Sequence, residues 1–115
     1  MQAPQVGVLL RALLGEADRA LGRASYATIV NEARTAGLAG ATVFRGPMSL
    51  GRARQINGGL NVEAPGNLPV VVEIVDTEDR IRAFLPRLEQ LIGSGLVTLI
   101  EVRMFRLGRS GPAAN

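Results

Sequence analysis

Two strand–helix–strand units follow one another along this chain, and that order constrains the fold more than any other feature of the sequence. Residues 6–14 (Val-Gly-Val-Leu-Leu-Arg-Ala-Leu-Leu) predict a strand with two largely apolar faces, suited to a sheet covered on both sides. Residues 25–36 predict a helix, with Tyr26, Ile29, Val30 and Ala33 at helical spacing, Ser25 as N-cap and Gly37 as the stop. The intervening residues 15–24 read as a polar connection. Residues 40–48 and 68–75 predict the second and third strands. Over 77–92, Ile81, Phe84, Leu85, Leu88, Leu91 and Ile92 make the apolar stripe of a second helix. Asp76 or Thr77 can cap it, Glu78 and Asp79 suit the positive end of its dipole, Pro86 kinks it, and Gly93 and Gly95 end it. Residues 96–107 predict the fourth strand.

With right-handed crossovers, β-α-β-β-α-β order gives an α+β ferredoxin-like sandwich, a four-stranded antiparallel sheet with two helices on one face. One domain over 1–107 is expected, and the patternless tail 108–115 should be mobile. The helix-covered face is expected to hold Val8, Leu10 and Ala12, then Val70, Val72 and Ile74, then Ile100, Val102 and Met104. The open face would hold Leu9, Arg11 and Leu13, then Val71, Glu73 and Val75, then Leu99, Glu101, Arg103 and Phe105. Arg11 would then lie between Glu73 and Glu101 in an apolar surround. A lone subunit would expose that face to water, so a homo-oligomer is expected to cover it, with Arg11 in a charge network.

The two middle strands are joined by a connection, about residues 50–66, far longer than an ordinary hairpin loop. It carries Gly51, Gly58, Gly59 and Gly66 with Arg52 and Arg54. Arg45, Arg52 and Arg54 beside a Gly-bearing turn suggest an anion or phosphate pocket, with forked Arg donors and backbone N–H groups freed by Gly51. A solvated loop in an Arg-rich chain is the plainer reading. Gly58 and Gly59 suit a loop that orders on a partner. Glu16 and Asp18 could hold a cation or move a proton, but a solvated acidic turn is the plainer reading.

Composition narrows the chemistry. The chain has neither His nor Cys, which removes thiolate and histidine-assisted nucleophiles and the usual zinc sites. All 13 basic residues are Arg, so no catalytic or phosphate-loop lysine exists. Aromatic residues make up only 3% and are not interleaved along any strand, which speaks against a nucleic-acid reader. No apolar run spans a membrane and no signal-peptide pattern opens the chain, so a cytoplasmic protein is expected.

Several stretches in order then carry a resemblance: Leu14-Gly-Glu16, Tyr26-Ala-Thr-Ile-Val30, Gly37-Leu-Ala-Gly-Ala-Thr-Val-Phe-Arg-Gly46, Leu68-Pro-Val-Val-Val-Glu-Ile-Val-Asp76, Phe84-Leu-Pro86 and Gly95-Leu-Val-Thr-Leu99. They make the chain similar to the PII-like family of unknown function called domain of unknown function one-ninety, and through it to nitrogen-regulatory PII signalling proteins. The resemblance implies a homotrimer that binds adenine nucleotides between subunits. It also implies that the 50–66 loop docks onto a transporter, channel or enzyme. Ser49-Leu50-Gly51 stands where PII proteins have a Gly-Phe-Gly turn, and Gly93-Ser94-Gly95-Leu96 where they have Gly-Asp-Gly-Lys. Ile56-Asn57 replaces the Ile-His pair frequent in the family.

The reading is a non-enzymatic, PII-like regulator without a required cofactor or metal. It would bind a small anionic metabolite, an adenine nucleotide among the candidates, through Arg45, Gly46, Ser49, Gly51, Arg52 and Arg54. Ile56, Asn57, Gly58 and Gly59 would meet the partner. Two alternatives from other classes stay open: a ligand-free structural adaptor, and a small cofactor-independent ferredoxin-like enzyme.

Overall fold

The structure is a computed structural model and describes residues 3–46, 68–93 and 95–108. Strands β1 (Gln5–Gly15), β4 (Gly40–Arg45), β5 (Pro69–Asp76) and β6 (Leu96–Met104) form one antiparallel sheet of order β4-β5-β1-β6. Helices α1 (Ser25–Thr35) and α2 (Glu78–Ile92) lie on one face, which gives the expected α+β ferredoxin-like arrangement. The core is the face of alternate residues on the two inner strands. Leu10 and Ala12 of β1 and Val70, Val72 and Ile74 of β5 are fully buried against Ile29 and Ala33 of α1 and Ile81 and Leu88 of α2. Among the described residues no helix is long and apolar enough to cross a membrane.

Residues 15–24 hold more structure than a polar connection. A short hairpin of β2 (Arg19–Ala20) and β3 (Arg23–Ala24) turns through Leu21 (φ 54°) and Gly22 (φ 80°). Two successive positive φ angles match the right-handed twist of a two-residue hairpin. Thr28 Oγ1 donates to the Ala20 carbonyl at 2.9 Å and fastens the hairpin to α1.

The expected N-cap of α1 is corrected, and of the two expected for α2 Thr77 holds the position. Ala24, not Ser25, precedes α1, and Ser25 is buried in the first turn with its N–H donating to the Asp18 carbonyl at 2.7 Å. Thr77 precedes α2 without a side-chain cap bond. Asp76 instead joins three parts of the chain. One carboxylate oxygen accepts from the Thr77 N–H at 2.6 Å, and the other from the Ala39 N–H at 2.9 Å and Arg80 Nε at 3.0 Å. Arg80 Nη2 continues to the carbonyls of Ala36 and Gly37, where α1 ends. Burial alone would push the Asp76 carboxyl up, but the bonds from Thr77, Arg80 and Ala39 outweigh it and hold the pKa below the usual aspartate range.

A carboxylate depressed in the folded state stabilises above its unfolded pKa, about 3.9, and loses that contribution as pH falls through the lower folded value. Asp76→Ala strands the Ala39 N–H and the Arg80 guanidinium and is expected to cost about 2–3 kcal/mol at pH 7. The gap between wild type and variant should shrink as pH falls from 4 toward 2. Urea unfolding at both ends of that range checks magnitude and sign.

Candidate functional site

The face of the sheet away from the helices is built of three rows that cross all four strands. Register places Thr42, Glu73, Arg11 and Thr98 side by side, one residue per strand. On one side of this polar row lie Phe44, Val71, Leu13 and Leu96; on the other lie Gly40, Val75, Leu9 and Ile100. Arg11 reaches Glu73 with Nε at 2.9 Å and Nη2 at 2.8 Å, both donors converging on Oε2. Phe44 (50%), Leu96 (58%) and Ile100 (40%) are the exposed edges of an apolar surface around one charged pair.

Glu101 is not part of that pair. It stands opposite Val8, on the helix side, and Thr98 occupies the place beside Arg11. All of β6 is turned over relative to the sequence expectation. Ile100, Val102 and Met104 share the open face, while Leu99, Glu101 and Arg103 share the other. The pattern of a strand specifies register only where one face is apolar and the other polar. In β6 both faces carry apolar residues, so its sequence does not choose. Gly7 lies where Met104 folds across β1: a Cβ there would stand 2.7 Å from the Met104 Sδ and 2.9 Å from the Asp76 carbonyl oxygen.

One end of this face carries the base of the central connection. Gly46 donates its N–H to the Pro69 carbonyl at 2.9 Å, and Glu16 donates its own to the Leu68 carbonyl at 2.8 Å. The two ends of the connection therefore meet beside the end of β1. Leu96, the first residue of β6, pairs with Leu13 at that same end. Arg45 lies on the helix side of β4. Its guanidinium pairs with Glu16 (Nε 2.9 Å, Nη2 2.9 Å) and sits 5.9 Å from the centre of the Tyr26 ring. Asp18 accepts from the Gly15 N–H at 3.0 Å. Glu16 and Asp18 thus brace the turn after β1. Ser49, Gly51, Arg52, Arg54, Ile56, Asn57, Gly58 and Gly59 lie outside the described residues, as does the 109–115 part of the tail. Among the described residues no group of three or more acidic, His or Cys side chains could hold a metal ion.

The sequence reading missed Thr42 and Thr98, which complete the polar row. The signal was present, since each is the one hydroxyl of its strand, but only the register aligns them with Arg11.

A family model, DUF190, described as an uncharacterised ACR, matches residues 7–104. A UPF0166 protein of Aquifex aeolicus is 37% identical over 101 residues, covering 86% of this chain and 93% of its own. One from Methanocaldococcus jannaschii is 30% identical over 99 residues, covering 85% and 91%. Among solved structures, CPII from Thiomonas intermedia K12, a nitrogen regulatory PII-like protein bound to ADP, AMP and bicarbonate, superposes with a TM-score of 0.59. The match covers 90% of this chain and 92% of CPII at 17% identity, so the fold is PII-like.

A half-exposed ion pair contributes modestly. A double-mutant cycle of Arg11→Ala and Glu73→Ala, read by urea unfolding under monomeric conditions, should give a coupling of about 0.5–1 kcal/mol that falls in high salt.

Proposed function

The chain belongs to the DUF190 family, and on that footing we propose that it is a non-enzymatic PII-like regulator, assembled as a homotrimer through the open face of its sheet. The observation that carries this reading is the open face itself: two apolar rows, partly exposed, on either side of the Arg11–Glu73 pair. Water is a poor neighbour for such a surface, and a second subunit is the natural cover.

Apposed subunits would form clefts along the sheet edges. The polar row would supply a floor able to donate and accept hydrogen bonds, and the ends of the central connection would form one wall. The bound molecule is a small anionic metabolite, with adenine nucleotides the first candidates because CPII, of the same fold, holds ADP and AMP. Arg45 and Gly46 stand at the root of the connection, so Arg52 and Arg54 beyond them would meet the anion while the 50–66 segment relays occupancy to a transporter, channel or enzyme. Leu96 stands where the resemblance places a phosphate-binding lysine. That change favours ligands carrying fewer phosphates.

Calorimetric titration of the purified oligomer with AMP, ADP, ATP and cyclic AMP, with and without Mg²⁺, tests the reading. Saturable binding near one site per subunit, weaker for ATP than for AMP or ADP and reduced at least tenfold by Arg52→Ala, is expected. No heat from any of the four would contradict adenine-nucleotide sensing.

A further inference from the structure

A second surface lies on the helix side, away from the open face. Between α1 and β4 runs an open groove of about 350 Å³ whose apolar lining is Ala27, Val30 and Val43, with Tyr26. Arg23, from the β2–β3 hairpin, and Arg34, from the last turn of α1, stand on its rim with Asn31. Part of the charge on that side is paired internally, and part, including Arg103 of β6, has no ion pair among the described residues. Arg45, Arg80, Arg82 and Arg87 are each held by a carboxylate, from Glu16, Asp76, Glu78 and Glu32 respectively. Arg23 and Arg34 have no carboxylate within ion-pair distance among the described residues. Arg34 is nonetheless positioned, since its Nη2 donates to Asn31 Oδ1 at 2.7 Å.

Two uncompensated guanidiniums beside an apolar lining complement a carboxylate next to an apolar side chain. Small-molecule sites enclose most of their ligand, which a groove this open does not do. A polypeptide laid along it would make its contacts in series. We propose that this groove docks an acidic segment of a partner protein, with carboxylates on Arg23 and Arg34 and an apolar side chain on Ala27, Val30 and Val43. The lining belongs to the β2–β3 hairpin, α1 and β4, so the proposal does not rest on nucleotide binding.

The test uses the full chain and a fluorescein-labelled peptide in which glutamate alternates with leucine. Fluorescence anisotropy should show saturable binding, and amide shifts in ¹⁵N spectra should cluster on α1 and β4. Arg23→Glu with Arg34→Glu should weaken binding about tenfold or more, which is about 1.4 kcal/mol per factor of ten. Arg82→Glu, on the exposed side of α2, should leave it within about twofold by the same arithmetic. Replacing the peptide's leucines by serine should also weaken it. No saturable binding, indifference to the double charge reversal in a variant with unchanged circular dichroism, or shifts elsewhere on the surface would each overturn the proposal. So would equal binding of the serine peptide together with full competition by inorganic phosphate, which would make the groove a simple anion site.

Discussion

The pairing of β1 with its two neighbours is the constraint on which the rest of this molecule depends. β1 is apolar on both faces, and alternate residues Leu10 and Ala12 vanish completely into the core. Once those residues face the helices, Leu9, Arg11 and Leu13 must face the other way, because side chains alternate along a strand. A charge in the middle of that surface needs a partner at the same level of the neighbouring strand. Glu73 is that partner, and the register that brings it there also aligns Thr42 and Thr98. Core packing, the polar row and the apolar rows beside it are thus one consequence of a single register.

The helix side is organised by carboxylates that reach across elements. Asp76 links the end of β5 to the residue before β4 and to the start of α2. Arg87 grips Glu32 with Nε at 2.9 Å and Nη2 at 3.2 Å, fastening α2 to α1. That bond, ahead of the opposing effect of desolvation, holds the Glu32 carboxyl below the usual range. These links fix the helices relative to the sheet, while Arg23 of β3 and Arg34 of α1 have no carboxylate partner among the described residues.

Much of the fold was legible because its periodicities are strong. Of the stripe Ile81, Phe84, Leu85, Leu88, Leu91 and Ile92 in α2, Ile81, Phe84, Leu88 and Leu91 are buried, and Leu85 and Ile92 are half-buried at its edge. The alternation in 70–74 fixed which side of β5 meets the helices. Three kinds of feature were not legible. The face of β6 could not be read from a strand apolar on both sides, and Glu101 was misplaced for that reason. The β2–β3 hairpin is two residues per strand, too short to show a period, and its turn uses Leu21 at a positive φ that its side chain does not advertise. The stripe Tyr26, Ile29, Val30 and Ala33 of α1 does pack on the core, Tyr26 and Val30 only half-buried, but Ser25 and Thr28 share the buried side, which the stripe does not show. Small hydroxyls bonded to backbone, as Thr28 is, can be buried without looking apolar. Of the candidate site, Arg11, Glu73 and the root of the connection were within reach of sequence reasoning; the row that joins them is a property of register.

The central claim is that the open face is a subunit interface, and sedimentation velocity on the full chain tests it most directly, with Ile100→Glu as the comparison. Ile100 lies in the apolar row beside Arg11 and away from the core, so a charge there should leave the subunit folded. The account predicts a trimer for the wild-type chain and a monomer of unchanged circular dichroism for the variant. A wild-type chain that sediments as a monomer at every concentration, or an oligomer indifferent to Ile100→Glu, would contradict it.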